Sequence, residues 1–266
     1  MSIVLRSARI VDLVFFVVAA VATFYYLWNA LHGKKESLRL LPAVTAISDG
    51  VDRAVEEGRP VFSSAGNLSL LSGGTYAPMA IASMNITRYT ASLCVTKGAR
   101  IIIPVPSNPE MFPVLDGIFR EVAVSQGKPE AYRREDVRYY GPTEWSFGVS
   151  CSRDVAIERP ALFLAVGANS SAETLIMGTC YFVGATIIAG TPRWGHQGNS
   201  TMFGDYFLWC EDVYAAGAYA SGDAAAMSAY VGGDVVKLVV VSLLILAAFL
   251  FFAGLPIVAN KGWLFQ

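Results

Sequence analysis

The chain has 266 residues, of which 54% are hydrophobic and only 15% are charged, and its mean hydropathy is +0.47. Soluble domains carry nearer a quarter of charged residues, so this composition indicates a membrane protein. A net charge of −1 gives no electrostatic case for a nucleic acid partner, and four cysteines are too few for a disulfide-stapled secreted module.

Two uncharged apolar runs lie near the ends of the chain, at 13–31 and 238–259. Each is close to the roughly 20 residues that cross a bilayer. We therefore predict a transmembrane helix at each end, at 13–31 and 234–259, with tails at 1–12 and 260–266. A cleaved signal peptide is the alternative for the first run, but that run is longer than a usual signal core and shows no small-x-small cleavage site.

The basic residues beside the two spans set the predicted orientation. Those on the side of the termini are Arg6, Arg9 and Lys261, and those on the side of the middle domain are Lys34, Lys35, Arg39 and Lys237. Because cytoplasmic segments carry the excess of Lys and Arg, the middle domain is predicted to face the cytoplasm from the plasma membrane. Four Asn-x-Ser/Thr sequons, beginning at Asn67, Asn85, Asn169 and Asn199, would suit the opposite orientation.

An amphipathic connector is predicted over 32–59. Within it, Val44, Ile47, Val51 and Val55 have helical spacing, and Gly58 and Pro60 then end the helix.

Short apolar runs alternate with longer helical patterns from residue 61 onward. The predicted strands are 61–64, 99–105, 137–140, 161–166 and 185–189, and the predicted helices are 77–96, 110–125, 146–158, 171–183 and 207–220. This alternation is typical of an α/β fold, so we predict an open, mostly parallel Rossmann-like sheet flanked by helices over 60–233.

Two segments of this domain, 77–95 and 174–188, are poor in charge and rich in small residues. A solvated helix needs a polar face, so we predict that copies of the chain cover these segments in a homo-oligomer. Contact with the bilayer and a fully enclosed central helix are the alternatives.

The loops at the carboxyl ends of parallel strands are the expected place for a ligand. The first of them contains Ser72, Gly73, Gly74 and Thr75, whose backbone N–H groups can converge on an anion. The stretch lacks the spacing of GxGxxG and the lysine of the Walker A loop, so it does not itself indicate a nucleotide. A plain glycine turn with a threonine cap is the alternative.

A second candidate loop follows the buried run ALFLAV. Ser170 or Ser171 can cap the next helix, and Glu173 lies in its first turn, where it is either a capping carboxylate or a ligand group. Thr191 ends the next strand and precedes a loop that contains Arg193 and His196.

Three carboxylates lie among aromatic residues in the stretch 204–212. Asp205 and Glu211 are predicted to face one loop edge, with an N-cap at Asp205 as the alternative. No metal site is predicted, because the chain has two histidines and neither of the motifs CxxC and HExxH. The serine-nucleophile motif GxSxG is also absent from the sequence. The sequence assigns neither a reaction nor a cofactor.

The chain resembles an uncharacterised prokaryotic membrane-protein family, a domain of unknown function with a C-terminal membrane anchor. The stretches GTYAPMAIASMN, SAETL, IIAGT and DYFLWCEDVYAAGAYAS carry the resemblance, in that order. The resemblance covers roughly 60–235 and the span that follows. It implies acidic residues at the positions of Glu173, Asp205 and Glu211, and it implies no reaction.

These observations predict a membrane-anchored α/β protein that associates with itself as a structural or assembly component of a membrane complex. Its expected partners are the bilayer, copies of itself and other subunits of that complex, among which a passive role in a respiratory complex is one alternative. The main alternative is a membrane-tethered enzyme or sensor that binds a small anionic metabolite at the carboxyl edge of the sheet.

Overall fold

A computed structural model of the protein describes residues 7–32, 41–66 and 76–252. The chain forms two compact units, one built from 39–222 and one from 1–38 together with 223–266. The helices and strands are α1 (Ser7–Leu31), α2 (Pro42–Glu57), β1 (Val61–Gly66), α3 (Ala77–Lys97), β2 (Ile101–Val105), α4 (Met111–Ser125), β3 (Val137–Tyr139), α5 (Glu144–Glu158), β4 (Leu162–Ala168), α6 (Ser171–Phe182), β5 (Thr186–Thr191), α7 (Gln197–Thr201), β6 (Tyr206–Trp209), α8 (Asp212–Ser221) and α9 (Ala224–Phe252).

The described strands of the larger unit form one sheet in the order β3-β2-β1-β4-β5-β6. Every neighbouring pair in it is parallel. The predicted α/β fold with a parallel sheet is therefore confirmed. The strand order is that of a doubly wound Rossmann fold, in which the winding direction reverses between β1 and β4.

Successive side chains of a strand point to opposite faces of the sheet. In this sheet the side chains on both faces are buried. In β4, Leu164 joins the core on one face while its neighbour Phe163 joins the core on the other. In β1, Val61 joins the same core as Leu164, and Phe62 joins the same core as Phe163. A strand buried on both faces reads as a continuous apolar run, which explains why ALFLAV shows no alternation.

The helices divide between the two faces. Helices α2, α3, α4 and α8 pack on one face, and α5 and α6 pack on the other. Crossovers in parallel sheets share one hand, so helices on either side of the reversal are expected on opposite faces.

One predicted element is wrong at residues 206–209. The sequence pattern predicts a helix over 207–220, whereas Tyr206–Trp209 forms β6 and α8 begins only at Asp212. A run of four aromatic and aliphatic residues favours a strand, and Leu208 pairs with Gly190 in β5.

Helix α2 belongs to the core of the larger unit. Its residues Val44, Ile47 and Val51 are buried, whereas Val55 is 44% exposed. Gly58 ends the helix in the left-handed conformation, as the sequence predicts. The compact unit that contains α2 runs from Arg39 to Gly222.

Helix α3 is partly enclosed within the chain. It packs against α2, α4 and α8 as well as against the sheet. A Cβ on Gly217 of α8 would lie 2.8 Å from the Cα of Ala82, so α3 and α8 approach closely. Neighbouring helices therefore cover much of 77–95 within one chain, although Ile81 is 53% exposed, and coverage by a second copy stays a prediction.

The smaller unit contains α1 and α9, which pack against each other. A Cβ on Gly232 would lie 3.0 Å from the Cα of Thr23, which is the close approach that small residues allow between helices.

Among the described residues, one helical segment, Ala224–Ile245, is long and apolar enough to cross a membrane. The apolar part of α1, Phe16–Leu31, is shorter than the roughly 20 residues a span requires. The prediction of one transmembrane helix at each end is thus corrected to a single C-terminal candidate. That candidate begins before the predicted span 234–259, whose residues beyond 252 lie outside the described residues.

Candidate functional site

The carboxyl ends of β1 and β4 meet where the strand order reverses, which is where doubly wound sheets bind ligands. Gly167 has a φ of 144°, and a Cβ at this position would clash with the carbonyl oxygen of Ala65. A Cβ on Gly66, at the end of β1, would lie 3.2 Å from Oδ1 of Asn169. The glycines therefore let the two strand ends approach and place the Asn169 carboxamide beside the end of β1.

The segment 67–75 follows β1 in the chain. The predicted residues Ser72, Gly73, Gly74 and Thr75 fall in this segment and lie outside the described residues.

Glu173 is completely buried at the start of α6 and forms a capping box with Ser170. The backbone N–H and the hydroxyl of Ser170 both donate to Oε2 of Glu173, at 2.7 and 2.6 Å. Burial raises the pKa of the Glu173 carboxyl above its usual value, and the two hydrogen bonds from Ser170 oppose that rise. Oε1 of the same carboxyl has no hydrogen-bond partner.

A second carboxylate lies at the same helix terminus. Oε1 of Glu144, in the first turn of α5, accepts a hydrogen bond from the N–H of Ala172 at 3.3 Å. The first turn of α6 thus has its amides at 170 and 172 bound to carboxylates of the chain itself. Ser170 is 3% exposed, and Ser171 is the exposed first residue of the helix. The arrangement satisfies the helix terminus and leaves no open anion cradle at Ser170.

The loop after β5 brings a cation to the same edge. Thr191 is buried, and its hydroxyl accepts a hydrogen bond from the N–H of Arg193 at 3.2 Å. The guanidinium Nη1 of Arg193 donates to the backbone oxygen of Asn169 at 3.2 Å, and its carbon lies 5.6 Å from the centroid of the Tyr76 ring. Arg193 therefore links the ends of β4 and β5 to the start of α3.

Arg193 borders a cleft of about 390 Å³. The cleft is lined by Tyr76, Met79, Pro192, Arg193, Trp194, Gly195 and His196. Its volume falls in the range of roughly 300–1,000 Å³ that is typical of small-molecule sites. Burial and the nearby charge of Arg193 lower the pKa of His196, so its imidazole is neutral near pH 7.

Four buried side-chain polar atoms in the described part of the chain lack a hydrogen-bond partner. They are Oδ1 of Asn169, Oε1 of Glu173, Oγ1 of Thr174 and Nδ1 of His196. All four belong to the residues that follow β4 and β5 at the carboxyl edge. Each such atom costs about 1–3 kcal/mol, and native proteins contain few of them. Of the four, Nδ1 of His196 lies in the lining of the cleft beside Arg193, and this cleft is the candidate site.

The structure does not bring Asp205 and Glu211 to one loop edge. Asp205 precedes β6, where its Oδ2 accepts from the N–H of Ile187 at 2.8 Å. Glu211 follows β6 and precedes α8, so the length of the strand separates the two carboxylates. Asp205 fixes the amino end of β6 against β5, which is a structural role.

No group of three or more His, Cys, Asp and Glu suited to a metal ion is found among residues 7–32, 41–66 and 76–252. Three of the cysteines, Cys94, Cys151 and Cys180, are buried, and burial raises the pKa of each thiol. These thiols stay protonated and unreactive. Cys210 is exposed.

Asn169 and Tyr76 are site residues that the sequence patterns did not select. Asn169 enters the sequence argument only as a sequon, although its position directly after a fully buried strand is a usable signal. Tyr76 gives no such signal, because it reaches the site only through the packing of α3 against the sheet.

Together the fold and the candidate site define a doubly wound α/β domain with a cleft of about 390 Å³ beside Arg193. The chain belongs to the family described as Domain of unknown function (DUF6754), whose model matches residues 2–261. The predicted resemblance to an uncharacterised domain family is thereby confirmed over nearly the whole chain, while its prokaryotic origin stays a prediction. No curated protein and no solved structure matches the chain.

Proposed function

We propose that this protein is a membrane-tethered α/β module that binds a small anionic metabolite at the carboxyl edge of its sheet. The cleft at Arg193, whose lining includes the unpartnered Nδ1 of His196, carries the proposal. A protein accepts the cost in stability of an unpartnered buried atom where a ligand recovers part of it.

The charge of the ligand follows from the surroundings of Arg193. Its protein contacts are the backbone oxygen of Asn169 and the face of Tyr76, neither of which is a carboxylate. No salt bridge to Arg193 is found among the described residues. A guanidinium with free N–H groups at the edge of a cleft suits a carboxylate or a phosphate.

The neighbouring residues have supporting roles in this proposal. Thr191 holds the backbone of Arg193, and Asn169 holds its guanidinium. Ser170 and Glu173 secure the start of α6 and thereby the position of Asn169. The predicted candidates at the ends of β4 and β5 thus position the cation.

We propose that α9 anchors the protein in the bilayer and that α1, which packs against α9, lies beside it there. Both helices carry large exposed apolar side chains, including Phe16, Phe24, Leu31, Leu238, Ile245 and Phe249. Asp234 and Lys237 form an ion pair within α9, and such pairing lowers the cost of charges in a membrane helix. We also propose that the α/β unit faces the cytoplasm, the orientation that the Lys and Arg residues beside the predicted spans favour.

Calorimetric titration of the full chain in lipid nanodiscs tests the ligand. The probes are inorganic phosphate, malate, citrate and ribose 5-phosphate. We expect at least one to bind, and Arg193→Gln to weaken its binding by about 10- to 100-fold because charge-assisted hydrogen bonds are lost. Arg153→Gln, at an exposed position on α5, is the matched control and should bind as the wild type does. If none of the four probes binds, the proposal is refuted. It is also refuted if the Arg193→Gln variant binds the probe as tightly as the wild type does.

The exposed thiol of Cys210 tests the orientation without any engineering. A membrane-impermeant maleimide should label it only after cells are permeabilised, and Cys210→Ser should abolish that labelling because the other thiols are buried. Labelling of intact cells would place the α/β unit outside.

Self-association is the second candidate function, and the outer faces of α5 and α6 favour it. Their exposed apolar side chains are Trp145, Val149, Ile157, Leu175, Tyr181 and Phe182, the last 85% exposed. Monomers seldom expose so much apolar surface in one region. Light scattering on the full chain in detergent should give the molar mass of an oligomer. Phe182→Ser should lower that mass, whereas the control Val124→Ser, on α4, should leave it unchanged. A wild type that is monomeric at every concentration excludes this function.

A further inference from the structure

The cleft beside Arg193 is lined largely by rings. Tyr76 comes from the start of α3, and Trp194 and His196 come from the turn after β5. Met79 and Pro192 add apolar surface to the lining. The ligand therefore meets aromatic and apolar walls from two elements together with one cation.

Trp194 presents its ring to solvent, since 89% of the residue is exposed. Tryptophan is mostly buried in folded proteins, and where it is exposed beside tyrosine and arginine it is typical of a binding site. Tyr76 already carries the Arg193 guanidinium on its ring, so the exposed Trp194 ring offers the free stacking surface.

We propose that the ligand is an aromatic anion with the chemistry of a nucleoside monophosphate, its ring stacked on Trp194 and its phosphate bound by Arg193. This inference rests on the proposed function, because it requires an anion at Arg193. Recognition here comes from stacking and a guanidinium, and it does not depend on a glycine-rich phosphate loop. Stacking on an aromatic side chain strengthens binding by about 10- to 100-fold per base.

Three probes that share either a ring or a phosphate separate the contribution of stacking on Trp194 from that of phosphate binding by Arg193. Adenosine 5′-monophosphate has both the ring and the phosphate, ribose 5-phosphate lacks the ring, and adenosine lacks the charge. In calorimetric titrations of the full chain in nanodiscs, we expect the monophosphate to bind at least about tenfold more tightly than either fragment.

Substitutions at Trp194 assign the stacking contact. Trp194→Ala should lower the affinity for the monophosphate by about tenfold and leave that for ribose 5-phosphate unchanged, whereas Trp194→Phe should keep most of the affinity. Trp145→Ala, at another exposed tryptophan outside the cleft, should change neither value. The high exposure of Trp194 means that neither replacement removes core packing, and the unfolding temperature of each variant checks this.

The outcomes distinguish this inference from the function on which it rests. Equal affinities for the monophosphate and ribose 5-phosphate refute the aromatic ligand but retain the anion site. Equal affinities for the monophosphate and adenosine refute the role of Arg193 in holding the phosphate. Failure of every anionic probe refutes both the inference and the proposed function. A Trp194→Ala variant that binds the monophosphate normally refutes the stacking contact.

Discussion

Replacing Gly217 by alanine tests the close packing of α8 on α3. The new Cβ would lie 2.8 Å from the Cα and 2.9 Å from the Cβ of Ala82. Carbon atoms in contact prefer about 3.5–4.0 Å, so the two helices must separate by most of an ångström. Backbone atoms of α3 cannot rotate away as a flexible side chain can.

Two terms decide the size of the effect. Overpacking of this kind costs about 1–3 kcal/mol. Alanine improves the intrinsic stability of a helix by about 1 kcal/mol relative to glycine, which offsets part of that cost. We expect a net loss of about 1 kcal/mol for Gly217→Ala, and a gain of about 1 kcal/mol for Gly117→Ala, where a Cβ on α4 would meet nothing within 4 Å. The difference between the two variants, about 2 kcal/mol, isolates the clash.

Thermal unfolding of the full chain in detergent measures this difference. For a unit of this size, 1 kcal/mol changes the Tm by about 2–4 °C, so the two variants should differ by about 4–8 °C and move in opposite directions. A Gly217→Ala variant that gains as much stability as Gly117→Ala would show that α3 and α8 are not packed this closely.

Three further changes test electrostatics and capping. Asp136→Ala should destabilise the protein by about 1–3 kcal/mol because it leaves the half-exposed Arg100 without its buried partner, whereas Glu121→Ala in an exposed pair should scarcely change the Tm; equal effects would contradict this account. Burial raises the pKa of Glu173 above 4.5, so its contribution to stability is complete below that pH and declines as the pH rises. Glu173→Gln stays neutral, and its Tm relative to the wild type should therefore increase between pH 5 and pH 8; a constant difference would argue against a perturbed carboxyl. Ser170→Ala should lower the stability by about 1 kcal/mol through loss of the capping bond to Glu173, as measured by denaturant unfolding, and an unchanged midpoint would contradict that role.

The local signals in the sequence were sufficient for most of the sheet and its helices. Apolar runs such as 161–166 predicted the buried strands, and Gly58 predicted a helix end that the structure confirms in the left-handed conformation. The capping of α6 by Glu173 was also readable, because a capping box acts over three residues.

The errors arose where distant segments decide the outcome. The stretch Tyr206–Trp209 becomes a strand because β5 offers it an edge, and a helical pattern in the residues that follow concealed this. The low charge of 77–95 indicates a covered surface, and only the tertiary structure shows that α2, α4 and α8 supply much of that cover.

The sequence by itself determined the period of each element, the glycine stops and the strongly apolar character of both ends, because these depend on neighbours a few residues apart. Only the tertiary structure decided the strand order, and with it the meeting of Tyr76, Asn169 and Arg193 beside the ends of β1 and β4. Residues so far apart in the chain come together only when the sheet reverses its winding. No local pattern can report that contact, since its energy comes from the packing of the whole unit.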